Sequence, residues 1–521
     1  MTLAFLITLL IAFTLTYTIY FGLIAKPVWS VYAYLIIWFV IPKAFRLIYI
    51  SGGVYDFPEG LTVFNIIEAV AICGIAVALI KHHRKPELKK KTKAMRWFAW
   101  LFLLTGTISF IVSFGFLSLI FSSHFDELWT YIEWHTELQN RIVPFATVVF
   151  GVIFLYGCFS FITEKKQVET ILLLFLLLGV ELSVESVLLY YIPPFYPVPI
   201  LTQLAAFSVQ AGGRFMSLAF TSFDQVGVFA IIAIGCCLYF SQSRKSKLLL
   251  LLLPLLFLPI VAGYQRSVLL GACATIGFVY WNSSSGKKRV ALVSIGLALL
   301  LTMSVLDSDL LLVNKVGESL GGSERADYFS TDSLDARFGL QIRATDVFVQ
   351  AFPFGVGPGM LPTAMNSPIS QSVLGNQIPT VAAYSASMYS QLASGFRKTN
   401  AHNILLEFIV EYGLLGVLVL GVFFYLLISN FWYWMKNSRS APRDSSFFLQ
   451  TYIFAILLGI LIHGLFESTY FPYSMYFMFL YITFIPKLET ESTPAVTVPT
   501  KSIPGGMLRP AGLVPYTLRV R

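Results

Sequence analysis

Apolar runs of about 20 residues, long enough to cross a hydrocarbon layer of roughly 30 Å as a helix, recur along almost the whole chain. They predict spans at 2–24, 28–48, 61–80, 97–122, 143–163, 169–192, 225–241, 247–263, 267–281, 288–306, 402–430, 447–467 and 470–486. The fold class read from this pattern is an all-α polytopic integral membrane protein of about 12–13 transmembrane helices. Polar connections between the runs are short, with one exception at 307–401. The chain therefore divides into N-terminal helices (1–200), central helices (201–306), a large extracytoplasmic loop (307–401), C-terminal helices (402–486) and a Pro-rich tail (487–521) expected to be disordered. The first apolar run has no basic leader and no small-residue cleavage site, so it is expected to be a retained helix.

Composition strengthens this reading. Hydrophobic residues make up 57% of the chain, charged residues 12%, and the mean hydropathy is +0.75. Soluble domains carry about twice that share of charge. The net charge of +9 would suit nucleic acid, but its distribution excludes that class. More than half of the 36 Lys and Arg fall in five short connections, at 81–96, 163–167, 243–247, 286–289 and 435–443. Positive charge in short loops marks the cytoplasmic face. The acidic loop 124–137, the Pro- and aromatic-rich stretch 190–200, the turn 264–266 and the segment 307–401 then lie outside, and the tail inside. Lys26, Lys43 and Arg46 leave the parity of the first spans open. Cys73, Cys158, Cys236, Cys237 and Cys273 all sit in apolar runs without metal or disulfide spacing and read as small buried hydrophobes.

Polar residues at membrane depth or at helix mouths are where function is sought. Arg214, Arg266, Arg337 and His402 come from four separate parts of the sequence, and the loop charges place all four on the outer face. Guanidinium groups grip phosphate oxygens with a planar fork and stay charged, so three of them suit a diphosphate. An imidazole beside them could take a proton from a hydroxyl nucleophile. Each residue also has a simpler reading, an arginine reaching to lipid headgroups or a histidine merely opening a helix. Arg343, close to Arg337 in RFGLQIRATD, is a further substrate-binding candidate.

Glu411 lies ~13 Å deeper along the helix than His402 and is assigned a structural role. Gly355, Gly357 and Gly413 are assigned structural roles as well, since GVGPGM permits close backbone approach yet lacks the lysine of a phosphate-cradling loop. Glu181 and Glu185 share a helix face as either a polar lining or a packing pair. His463 has no second ligand nearby, so no metal and no cofactor are expected. Trp129, Trp134 and the tyrosines at 190–196 read as an interfacial aromatic belt or as sugar-stacking platforms.

The ordered series from Arg337 through Pro353, Gly355-Val-Gly357, His402-Asn403 and Glu411-x-Gly413-Leu-Leu-Gly416 resembles the O-antigen ligase and O-antigen polymerase superfamily. Arg214 and Arg266 resemble its upstream arginines, so the likeness covers roughly residues 205–470. Where many members carry Pro-Asn after the first arginine, this chain has Asp224-Gln225.

The resemblance implies a bundle like those of lipid-dependent membrane glycosyltransferases in a bacterial inner membrane, with a site facing the periplasm. It implies an undecaprenyl-diphosphate-linked glycan donor and metal-independent transfer to a glycan, a lipid A core or another hydroxyl acceptor. On that reading Arg266, Arg337 and His402 are catalytic, and Arg214 and Arg343 bind substrate. Membrane lipids are partners and nucleic acid is not; a chain-length regulator at the outer loop stays open. Transport of a lipid-linked glycan without chemistry, or transfer to protein hydroxyls, are the alternatives.

Overall fold

A computed structural model describes residues 13–17, 20, 26–40, 49–51, 61–82, 93–122, 134–192, 199, 209–210, 214–215, 223–244, 246–263, 266–283, 332–365, 401–438 and 446–466. Within them the chain is helical apart from two short antiparallel ribbons. In order come α1 (Val28–Val40), β1 (Tyr49–Ser51), β2 (Leu61–Thr62), α2 (Val63–His82), α3 (Lys93–Ser122), α4 (Trp134–Phe161) and α5 (Lys165–Ser186) with a π-helical turn at Val187–Tyr191. Then follow β3 (Val209–Gln210), β4 (Arg214–Phe215), α6 (Phe223–Ser243), α7 (Leu252–Ala262, entered through a 3-10 turn at Lys247–Leu251) and α8 (Arg266–Ser283). The last elements are α9 (Asp332–Ala351), α10 (Leu361–Met365), α11 (Ile404–Ser438) and α12 (Ser446–Gly464).

Among the described residues, five helices are long and apolar enough to cross a membrane by length and composition: those containing Asn65–His82, Pro144–Phe161, Lys165–Tyr191, Gln225–Ser243 and Ile404–Ser429. Helices are the expected solution, because hydrocarbon offers the backbone no hydrogen-bonding partner and a helix satisfies its own. Shorter apolar helices accompany them, among them Trp97–Val112, Lys247–Ala262, Ser267–Asn282 and Phe448–Gly464. The predicted spans at 288–306 and 470–486, and most of that at 2–24, lie outside the described residues.

Small residues let the helices close up. At the crossing of α8 and α12, a Cβ on Gly271 would meet the Gly459 carbonyl at 2.5 Å, and one on Gly459 would meet the Gly271 carbonyl at 2.6 Å. Contact this close replaces the hydrophobic drive that lipid cannot supply between helices. The Thr275 hydroxyl adds a bond to the Ala455 carbonyl across the same pair, at 3.2 Å. Elsewhere Tyr34 of α1 donates to Glu68 of α2 at 2.7 Å, with both side chains buried.

Among the described residues, two hydrophobic cores result. The larger joins α1 to α8 with α12 and one face of α11, including Ile404, Phe408 and Tyr412. The smaller gathers Leu340, Ala344, Val347 and Ala351 of α9, Val356 and Met360 of the following loop, Leu361, Ala364 and Met365 of α10, and Ala401 and Val410. The start of α11 thus lies between two cores and packs on both.

Two features, the second of them a departure from the sequence reading, bear on the site. The long segment 307–401 contains the amphipathic helix α9 and the short α10, both docked on α11. The apolar run 402–430, expected as one span, is interrupted at Gly413, whose φ of 64° and ψ of −147° are non-helical.

Candidate functional site

His402 stands just before α11 and takes a left-handed backbone conformation, φ 49°. For a residue with a Cβ this conformation is uncommon, and it persists only where neighbours hold it. Both neighbours are held. On the C-terminal side, the Asn403 side-chain oxygen accepts the backbone N–H groups of Leu405 and Leu406, each at 3.1 Å. That is an N-cap: a short polar side chain taking over donors that the first helical turn leaves without carbonyls. On the N-terminal side, Ala401 is fully buried in the smaller core and its N–H donates to Glu407 Oε1 at 3.0 Å. The carboxylate reaches back over the first turn much as the acid of a capping box does. The His402 side chain itself is half-buried.

Below His402, the interruption at Gly413 is filled by the loop after α9. Pro353 ends α9, and its carbonyl accepts the Leu414 N–H at 2.7 Å. The loop N–H groups of Val356 and Gly357 donate to the carbonyls of Val410 and Glu411, at 3.0 and 2.9 Å. The Ser109 hydroxyl, near the middle of α3, also donates to the Glu411 carbonyl, at 2.5 Å. Backbone groups freed by the break therefore find partners inside the protein, as irregular backbone within a membrane bundle requires.

Glycine is needed here for two separate reasons. Gly413 occupies a region of φ and ψ that is all but closed to other residues and approaches the Pro353 carbonyl so closely that a Cβ would collide with it. Gly355, at φ 79°, has the same difficulty from the opposite side, since its Cβ would lie 2.5 Å from both the Glu411 carbonyl and the Gly413 nitrogen.

Arg337 lies on α9, and its backbone is described while its side chain lies outside the description. Because α9 and the first half of α11 both end at the Pro353–Gly413 crossing and pack in the smaller core, they run side by side toward it. From that crossing back to Arg337 is ~24 Å of helical rise, and back to His402 ~17 Å. The two residues therefore stand on adjoining elements, ~7 Å apart in rise along them.

Arg343 is placed differently from the substrate-binding position read from the sequence. Its side chain is fully buried, and its Nε donates to the Met365 carbonyl at the end of α10. The charge faces the protein's own backbone because this turn of α9 points into the smaller core rather than along the outer face.

Arg214 and Arg266 attach to the larger core, again with only their backbones described. Arg214 pairs with Gln210 in the β3–β4 ribbon. Its neighbour Phe215 is fully buried and meets Tyr190 of the π-helical turn edge-on, with 6.5 Å between ring centroids. The adjacent Tyr191 donates to the Leu258 carbonyl in the last turn of α7, at 3.1 Å. Arg266 begins α8 a few residues beyond. The ribbon of Arg214 thus packs on α7, the helix that precedes Arg266, and the helix of Arg337 packs on the one that follows His402.

Among the remaining candidates, Glu185 is buried while Glu181, one turn earlier on the same helix, is exposed. His463 is buried near the end of α12. Among the described residues, no three His, Cys, Asp or Glu side chains gather as a metal site. Sequence reasoning passed over Asn403 and Glu407 as a helix start, although an Asn ahead of an apolar run with a first-turn acid is such a signal.

Neither the curated proteins nor the solved structures offer a match to the chain. Residues 228–421 match the profile of the family described as O-antigen ligase. That stretch takes in Arg266, Arg337, the glycine loop, His402 and Gly413, and begins after Arg214. Over residues 228–421, a little over a third of the chain, the protein is thus similar to the O-antigen ligase family.

Proposed function

We propose that the protein is a multi-pass glycosyltransferase of a bacterial inner membrane that moves or polymerises an undecaprenyl-diphosphate-linked glycan on the extracytoplasmic face. The observation that carries this reading is His402, held in a left-handed conformation at a helix mouth beside the helix of Arg337. In the reaction, an acceptor hydroxyl oxygen forms a bond to the anomeric carbon. The bond from that carbon to the diphosphate oxygen breaks, and its electron pair leaves with the lipid diphosphate. His402 takes the hydroxyl proton, or orients the hydroxyl until it departs.

Arg266 and Arg337 neutralise the charge that develops on the diphosphate, where fixed donors in a dry site act most strongly. Arg214, on the ribbon next to α7, guides the headgroup. The acceptor is another glycan or a lipid A core.

Purified protein in lipid, given an undecaprenyl-diphosphate oligosaccharide with and without a lipid A core, tests the reading. A ladder without core is the product of a polymerase, and a single shifted band that requires core is that of a ligase. No product from either, with intact flipping of the same lipid, would replace the enzyme by a transporter. His402→Ala is expected to abolish product while donor binding persists.

A further inference from the structure

We infer that Asn403 and Glu407 are positioning residues that hold the His402 backbone in its left-handed conformation and so aim its imidazole at the acceptor. This rests on the reading of His402 as the acceptor-side group. A left-handed backbone is disfavoured for a residue with a Cβ, and no glycine stands at this position. Extended or right-handed alternatives at 402 would each turn the side chain in a new direction.

Two clamps oppose that release, and they act on opposite sides of the residue. Asn403 binds two N–H groups of the first helical turn through one oxygen, which fixes where the helix begins. Glu407 binds the Ala401 N–H through Oε1, which fixes how the chain arrives. With Ala401 buried and Ile404 buried against the other core, the segment 401–404 is tied at both ends. Glu407 thus does its work through a hydrogen bond to the backbone, and an uncharged side chain with the same oxygen acceptor should replace it. A side chain without that acceptor should not.

The test compares Glu407→Gln, Glu407→Leu, Asn403→Asp, Asn403→Leu and His402→Ala in the reconstituted full chain, with kcat and KM for the lipid-linked donor and a thermal unfolding curve for each. Glu407→Leu and Asn403→Leu should lower kcat about tenfold or more, the rate equivalent of a ~1.4 kcal/mol misalignment, with the donor KM within about twofold of the parent, a difference of ~0.4 kcal/mol. Glu407→Gln and Asn403→Asp should recover most of kcat. A merely structural role would lower the unfolding temperature and the active fraction without this split between kcat and KM and without rescue.

Unchanged kcat in both leucine variants overturns the inference, as does a Glu407→Gln variant as impaired as Glu407→Leu. Full activity of His402→Ala removes the underlying reading instead. An inactive His402→Ala beside a fully active Glu407→Leu removes the positioning role alone.

Discussion

Replacing Gly413 with alanine should separate the two halves of the site from each other. The native φ of 64° and ψ of −147° are costly for alanine, about 1–3 kcal/mol of backbone strain. The added Cβ also collides with the Pro353 carbonyl and comes within 2.6 Å of the Gly355 nitrogen. The chain has one ready escape, which is to let α11 run on as a continuous helix. The Leu414 N–H then returns to the Val410 carbonyl, displacing Val356, and Pro353 loses its partner. Two or three bonds holding the loop disappear, at ~0.5–1.5 kcal/mol each, and Val356 loses its seat against Val410. Either route destabilises the loop by about 2–5 kcal/mol.

The assay is unfolding temperature in detergent together with glycan transfer, using Gly421→Ala as the control. A Cβ at Gly421 meets nothing within 4 Å, so that change should be neutral or stabilising by up to ~1 kcal/mol. Gly413→Ala is expected to lose most transfer activity and to unfold at lower temperature. If it matches the control in both measurements, the break in α11 does not organise the site.

Arg337→Lys keeps the charge but loses the planar fork, so transfer should fall severely while the protein stays folded; unchanged kinetics would remove Arg337 from the diphosphate. Arg343→Met should act on stability, because it leaves the Met365 carbonyl without its Nε donor in a buried place, at a penalty of about 1–3 kcal/mol. A raised donor KM with no loss of stability would return Arg343 to the substrate. Ser330→Cys should react with an impermeant thiol reagent added from outside; protection in an intact, folded preparation would invert the topology.

Much of the bundle was legible because apolar length alone nearly dictates a helix in a membrane. The predicted spans at 169–192, 225–241 and 447–467 each correspond to a helix among the described residues, within a few residues at either end. His402 could be singled out because an imidazole at the mouth of an apolar run is conspicuous. The break at Gly413 could not, since leucines and valines continue with the same period on either side of it. What ends the helix is a loop some sixty residues earlier, and no local pattern reports so distant a partner. The burial of Arg343 was not legible for a related reason: on α9, a helix with many polar residues, exposure is the natural expectation, and the Met365 carbonyl that meets its Nε lies 22 residues further on. The role of Glu407 was not legible because its partner, the Ala401 N–H, lies six residues back and ahead of the helix it would have to be assigned to.

The interruption in α11 also bears on how such a protein could adapt to different bilayers. Above Gly413, the helix is tied to α9, α10 and the glycine loop; below it, past the bond from Leu414 to the Pro353 carbonyl, the helix packs on the larger core through Val419, Leu420, Phe423 and Leu427 and presents exposed Leu414, Val417, Leu418, Tyr425, Ile428 and Trp432. Residues in the lower half can therefore drift in length and apolarity to suit a thinner or thicker hydrocarbon layer, and the register at His402 stays where the loop has set it.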